Sequence, residues 1–341
     1  MQSHMDSHKK FELARLNIHP FKLKFFGLSF LFLVIIILPF FISDYWIFVF
    51  TLAYYYTILA ASWNLLGGYT GQFSLGHHTF ALIGAYTSAL MIIKAGIPLW
   101  TGILAGIILT IIISFVLGVI CLRVRGLYLA LITWAFAEVV RTYIRMGYEF
   151  TGGDRGLDAP LLFDTIQPLP YYYLFSGIAA VTITLIAGIM RSRIGYYFRA
   201  TRNDEIAARA MGVNTVRWKV FAFMVASGLA GVAGAFYGHS IGLISPVLGE
   251  FNEMAMVIIF VVIGGLRTQA GPVLGAISIR YLMEVLREWS EIRIIILTAI
   301  VIIIMRFFNG GFMEFFKRGK QWVQQKEVRE PVSAYEKIEQ R

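Results

Sequence analysis

From residue 25 to residue 307 the chain is a succession of apolar runs separated by short polar or basic stretches, and most runs are as long as a lipid bilayer is thick. A hydrocarbon core about 30 Å deep needs about 20 apolar residues at a rise of about 1.5 Å each. Ten segments read as spans: 25–42, 45–66, 77–93, 99–122, 126–145, 171–190, 220–241, 254–265, 272–286 and 292–307. The eighth and ninth are short enough to be re-entrant halves, so the range is eight to ten. The first is not a secretory signal, because Pro39-Phe40-Phe41 stands where a small-residue cleavage site would follow. Composition agrees: 58% of residues are hydrophobic, only 15% are charged, and mean hydropathy is +0.70. A soluble chain carries about 25% charged residues. A soluble enzyme, a disordered chain and a disulfide scaffold are therefore excluded. The single cysteine, Cys121, leaves no internal disulfide and no cysteine metal cluster. The expected fold is an all-α polytopic membrane protein.

Charge sets the orientation. The net charge is +10, and the cations are not spread evenly. Lys9, Lys10, Arg15, Lys22 and Lys24 precede the first span. Arg123 and Arg125 follow the fourth, seven Lys and Arg lie between 191 and 219, and Arg306, Lys317, Arg318 and Lys320 lead into the tail. With ten crossings all of these fall on one side. The loop before the sixth span carries Glu149, Asp154, Asp158 and Asp164 and falls on the other. The positive-inside rule then places both termini in the cytoplasm. The domain division is a cytoplasmic segment 1–24, a membrane domain 25–307 with a cytoplasmic loop at 191–219, and a solvated cytoplasmic tail 308–341. Cations used this way call for membrane lipids rather than nucleic acid as neighbours.

Several segments interrupt the apolar pattern. Within 191–219, Asn203 or Asp204 can cap a short helix, Ile206, Ala207, Ala210 and Met211 share one face, and Gly212 ends it. Such a helix either lies on the membrane surface or seats in a partner's groove. The stretch from Asn64 through Gly67, Gly68, Thr70, Gly71, Gln72 and Ser74 is too polar and glycine-rich to face lipid. It is either a plain cytoplasmic loop or a broken helix on a transport path. Gly264, Gly265 and Gln269 belong to a similar stretch near the other end, which suggests a weak internal repeat and favours a transporter over a membrane enzyme. Thr151-Gly152-Gly153-Asp154-Arg155-Gly156-Leu157 reads as a tight turn on the outer side.

Charges inside spans cost about 2.5–3.5 kcal/mol each at a helix centre and need partners. Glu138 with Arg141, and Glu284 with Arg280 and Arg287, have helical spacing for pairing. His77 and His78 are adjacent, point different ways on a helix and make no shared metal site. Gly228, Gly231, Gly234 and Gly238 form a stripe suited to close helix packing. The chain contains no G-x-x-x-x-G-K-[ST], HExxH, CxxC or GxSxG pattern. No catalytic residue, cofactor or metal is called for, and any ATP-driven step needs a separate ATPase chain.

Five blocks in order carry a family resemblance. They are Asn64-Leu65-Leu66-Gly67-Gly68-Tyr69-Thr70-Gly71-Gln72-Phe73-Ser74-Leu75-Gly76-His77, Gly84-Ala85-Tyr86, Arg125-Gly126-Leu127-Tyr128-Leu129-Ala130-Leu131, the outer turn from Thr151 to Leu157, and Arg199-Ala200-Thr201-Arg202-Asn203-Asp204-Glu205-Ile206-Ala207-Ala208-Arg209-Ala210-Met211-Gly212. Over residues 50–306 the chain resembles the permease subunits of branched-chain amino-acid ABC importers, of the LivM type. The resemblance implies a prokaryotic inner or plasma membrane subunit. It would pair with a second homologous permease, two ATP-binding subunits and an extracytoplasmic solute-binding protein. It also implies that Asp204, Glu205, Ile206, Ala207, Ala208 and Gly212 couple to the ATPase. Ile206 stands where such loops carry an acidic residue, which leaves open which side chain makes the polar contact. Urea, short amides or other amino acids are alternative substrates. A secondary transporter using Glu138, Glu253 or Glu284 as an ion site is the rival class.

Overall fold

The computed structural model describes residues 33–121, 124, 126–163, 165–307 and 311–312. The N-terminal segment, residues 25–32 of the first span, Leu122, Arg123, Arg125, Asp164 and the tail except residues 311 and 312 lie outside the described residues. Six of the described helices have the length and apolarity to cross a membrane. They are α1 (Asp44–Trp63, continuing in wider turns to Thr70), α2 (His77–Ala95), α3 (Leu99–Cys121), α4 (Leu127–Met146), α5 (Pro168–Arg191) and α8 (Thr215–Ile241). Between α5 and α8 lie two short helices, α6 (Arg193–Asn203) and α7 (Glu205–Ala210). The chain goes on through α9 (Phe251–Gly264), α10 (Gly271–Val285) and α11 (Ser290–Phe307). Apart from α6, which was not expected from the sequence, each of these helices coincides with a candidate span or the predicted loop helix, with ends shifted by a few residues.

Burial inverts the order expected of a soluble bundle. The least polar long helix, α3, is among those that present most of themselves outward, with Leu104, Ile108, Ile112, Phe115, Val116 and Ile120 exposed. The more polar α1 is almost wholly enclosed by α5, α8, α9 and α10. Lipid is as apolar as leucine, so burial here is not driven by hydrophobicity; close packing and hydrogen bonding hold the helices together. The glycine stripe supplies the close packing where α8 meets α2 and α3. A Cβ at Gly234 would lie 1.9 Å from the Ala81 carbonyl oxygen, and one at Gly84 would lie 2.4 Å from that of Gly231. Gly106 of α3 closes the same junction, 2.6 Å from the Gly84 oxygen on the same measure. The two histidines take different partners: His77 Nε2 meets Ser62 Oγ at 2.8 Å, and His78 Nε2 meets the Gly249 carbonyl at 2.9 Å.

Helices α9 and α10 form a tight hairpin. A Cβ at Gly264 or Gly275 would stand 1.8 Å from the carbonyl oxygen of Gly271 or Phe260. The turn between them holds Gly265 at φ 119° and Arg267 at φ 67°. Helix α10 runs antiparallel to α1. Thr268, just before it, meets Asn64, while Glu284 at its far end meets Tyr45. Despite its 15 residues, α10 with its flanking turns therefore covers the depth of α1. Helix α9 does not. Its first turn is level with the middle of α1, where Tyr56 Oη donates to Glu253 at 2.7 Å. The segment before it is not α-helical and is only partly buried, with Ile244, Pro246 and Gly249 enclosed and Leu243 and Val247 exposed. It includes the turn Pro246–Gly249, packed on Leu82 and Arg141.

At the end of the bundle away from α6 and α7, the outer turn is compact. Leu157–Asp158 pairs antiparallel with Leu243–Ile244, which joins the loop after α4 to the loop after α8. Gly152, Gly153 and Gly156 all have positive φ. Arg145 Nε lies 2.6 Å from Asp154 Oδ1, and this hydrogen bond holds the Asp154 carboxyl below the usual carboxylate range. Arg141 pairs with Glu138 as the spacing predicts, and it also reaches Glu250 at 3.7 Å. Arg287 pairs with Glu284 at 3.3 Å. Arg280 departs from expectation, since its guanidinium sits against the Tyr56 ring instead of pairing with Glu284.

Candidate functional site: a helical knob joined to two glycine turns

The loop between α5 and α8 is built from capped short helices. Ser192 Oγ accepts from Ile194 N to start α6. Asp204, not Asn203, starts α7, accepting from the backbone N–H of Ile206 at 2.8 Å and of Ala207 at 3.0 Å. Gly212 ends it at φ 81°, a conformation open to glycine at no steric cost. Asn214 then caps α8 by accepting from Arg217 N. Four capping events within 25 residues fix a knob that projects from one end of the bundle.

The expected apolar face is real and presented outward. Ile206 is 71% exposed and Met211 84%, with Ala207 and Ala210 between them. The other residues proposed for coupling divide from these by position. Ala208 is buried, so it belongs to the anchor rather than to the presented face. Glu205 also turns inward. Its carboxylate lies 2.6 Å from Lys219 Nζ and accepts from Thr215 Oγ1 at 3.1 Å, with Arg209 on the same oxygen as Thr215. Both partners of the Glu205–Lys219 pair are about nine-tenths buried by side chain. The presented surface of α7 thus carries apolar side chains in place of an acid.

The anchor leads directly to the first glycine-rich stretch. Gln72 Nε2 donates to the Lys219 carbonyl at 3.2 Å and to Thr70 Oγ1 at 3.0 Å. Gly71, at φ 73°, presses on the Arg202 side chain of α6. Burial there, with Arg267 nearby, lowers the Arg202 guanidinium from the usual arginine range. Ser74 is fully enclosed, and its carbonyl accepts from Trp63 Nε1. Asn64 joins the two stretches: its Oδ1 accepts from Arg267 N at 3.0 Å, and its Nδ2 donates to the Thr268 carbonyl at 2.9 Å. A Cβ at Gly68 would stand 2.1 Å from Asn64 Oδ1, so any side chain there would displace the Asn64 amide from its partners.

The ten residues read as candidates for a path are therefore gathered at one end of the molecule, packed against each other. Asn64, Gly68, Thr70, Gln72, Ser74, Gly264 and Gly265 are buried, Gly67 and Gln269 are half-buried, and Gly71 is exposed. The space left beside Asn64, Thr268 and Gln269 is about 10 Å³, room for one water at most. The two turns thus pack tightly against each other behind the knob.

Sequence reasoning missed the Glu205–Lys219 pair and the clamp of Asn64 on residues 267 and 268. Glu205 and Arg209 have i, i+4 spacing that was legible; the other contacts join distant parts of the chain and leave no local signal.

Comparison with known proteins gives the same kind of molecule. The family model described as branched-chain amino acid transport system / permease component matches residues 45–305. The permease protein LivM of the high-affinity branched-chain amino acid transport system of Salmonella typhimurium is 30% identical over 333 residues, covering 89% of this chain and 78% of that protein. LivM of Escherichia coli is likewise 30% identical, with the same coverage. LivH, a permease protein of the same kind of system in Salmonella typhimurium, is 26% identical over 283 residues, covering 74% of this chain and 90% of LivH. No solved structure matches the chain. These relatives are transport subunits rather than enzymes, and the chain, multi-pass and without a nucleotide-binding loop, belongs to the family of permease components of branched-chain amino acid transport systems.

Proposed function

We propose that this chain is one permease subunit of an ATP-driven importer for branched-chain amino acids, with ten crossings and both termini in the cytoplasm. In this reading it sits in a prokaryotic inner or plasma membrane beside a second homologous permease. Two ATP-binding subunits dock below it, and an extracytoplasmic binding protein delivers substrate from above. The knob end is cytoplasmic, in keeping with the charge distribution between 191 and 219.

One observation carries the proposal: an apolar face, Ile206 to Met211, is held outward by a helix whose other side is ion-paired to α8, and α8 is in turn hydrogen-bonded to the first glycine turn. A solvated loop gains nothing from presenting two large apolar side chains on a capped and ion-paired base; a docking helix does. The mechanism follows from the connections. A partner that moves α7 moves Lys219 and Arg202, and both bear on residues 71 and 72. Those residues lead to Asn64 and thence to the turn between α9 and α10. In this reading the packed turns act as a plug, and the ATP cycle opens and closes it only in so far as the docked ATPase binds the two arrangements unequally.

The test is co-purification and uptake. Co-expressed with the ATP-binding subunits of its own system, the wild-type chain retains them, and the reconstituted importer accumulates leucine only with ATP. Ile206→Asp combined with Met211→Asp lowers retention at least tenfold, a loss of about 1.4 kcal/mol or more, while membrane insertion is unchanged. Unaltered retention, or leucine accumulation by the chain alone on a proton or sodium gradient, overturns the reading.

A further inference from the structure

One group of charges at membrane depth is not absorbed by the coupling apparatus. Along one side of α10 and the turn that follows it lie Arg280, Glu284 and Arg287, and the opposite wall is α1. Between them is a crevice of about 280 Å³, walled also by Phe48, Leu52 and Met283. Its size is at or below the lower end of the range for small-molecule sites, roughly 300–1,000 Å³.

The two ends of the crevice differ. At the rim, Tyr45 Oη bonds to both Glu284 and Arg287, so those charges have partners. Deeper in, Arg280 makes no ion pair among the described residues. Its Nε is buried without a hydrogen-bond partner, and the guanidinium carbon lies 5.7 Å from the centre of the Tyr56 ring. Tyr56 is held in turn by its hydrogen bond to Glu253, at the first turn of the half-length helix α9. An arginine with an orphaned donor at membrane depth is costly, and such groups mark ligand pathways by their chemistry. A guanidinium fork fits a carboxylate. A carboxylate one helical turn away, about 5.4 Å along the axis, fits an ammonium. The apolar wall beside both fits an aliphatic side chain.

We propose that this crevice binds the transported amino acid during passage, with Arg280 on its α-carboxylate, Glu284 on its α-ammonium, and Phe48, Leu52 and Met283 against its side chain. The proposal rests on the importer reading above and adds to it a substrate-contacting site within this chain, apart from the glycine turns. Tyr56 and Glu253 act as positioning residues, keeping the guanidinium turned toward the crevice. A phosphatidylethanolamine headgroup offers the same two charges, so the test must separate the two sources.

The experiment uses the assembled permease–ATPase complex without its binding protein, in nanodiscs of phosphatidylglycerol alone. Binding of radiolabelled leucine is measured in competition with leucinamide, which lacks the carboxylate. The wild type binds leucine and prefers it to leucinamide. Arg280→Gln weakens leucine binding about tenfold or more, the range for a lost hydrogen bond to a charged group, and abolishes the preference, whereas Arg280→Lys retains part of both. No leucine binding by the wild type, or an Arg280→Gln variant with unaltered preference, overturns the proposal. So does an equal loss for leucine and leucinamide, which marks a structural role. Displacement of leucine when phosphatidylethanolamine is added assigns the crevice to lipid and overturns it too. The importer reading fails separately, if the complete wild-type system with its binding protein takes up no leucine.

Discussion

Glu205 shows how one side chain can be placed correctly by sequence and still be misjudged in role. Its position at the start of α7 follows from the Asp204 cap and the spacing to Arg209. Its direction does not, because Lys219 approaches from the first turn of α8, beyond the knob's own turn. Ala208 is the same case: helical spacing identifies its face, and only the packing of α7 on α6 and α8 shows that face to be inward. A charged substitution at Ala208 therefore tests folding of the knob, while one at Ile206 or Met211 tests docking. The ion pair allows a sharper comparison. Glu205→Gln leaves the Lys219 ammonium enclosed without a carboxylate, a change that typically costs about 3–5 kcal/mol. Lys219→Met leaves Glu205 with Arg209 and Thr215, and costs about 1.5–3 kcal/mol, the scale of one charge-assisted hydrogen bond. Hydrogen exchange at the α7 amides then rises far more for Glu205→Gln than for Lys219→Met. Equal rises would remove Lys219 as the residue that depends on Glu205.

Among the elements, the long helices were the most legible, since a 20-residue apolar run with flanking charge admits few other structures in a membrane. The glycine stripe on α8 was legible too, because small residues at spacings of three and four have one common use between helices. What the sequence could not reveal is which helix meets the stripe, or that α9 starts halfway down α1. Both depend on contacts between residues far apart in the chain. The stripe yields a quantitative expectation. Gly234→Ala drives a methyl into the Ala81 backbone, which cannot move as a side chain end can. Overpacking of this kind costs about 1–3 kcal/mol. Gly188→Ala, on the exposed side of α5 with open space around it, is neutral or stabilising by about 0.5–1 kcal/mol. Thermal unfolding of the purified protein in detergent should separate the two variants by sign. Similar midpoints would mean that α2 and α8 do not pack as closely as the backbone approach requires.

At the scale of the whole molecule, the two glycine-rich stretches make sense only together. Each reads alone as a loop or a broken helix, and their likeness reads as a weak repeat. Folded, they are two halves of one packed unit, joined by the two hydrogen bonds of Asn64 and backed by α6 and the start of α8. If that unit carries movement from the knob to α9 and α10, Asn64 is the link whose removal uncouples without undocking. Asn64→Ala leaves the Arg267 N–H and the Thr268 carbonyl without partners, a local cost of about 1–3 kcal/mol, but it leaves α7 and its exposed face untouched. The expected outcome in the assembled importer is normal retention of the ATP-binding subunits, continued ATP hydrolysis and leucine uptake reduced about tenfold per ATP consumed. A route through neighbouring groups needs evidence of energetic coupling, not adjacency alone. The decisive measurement is therefore a double-mutant cycle between Asn64→Ala and Gln72→Ala, scored on uptake per ATP. If both act on one linkage, the double variant loses little more than either single variant. Independent, additive losses would mean that the knob and the hairpin communicate by some other path.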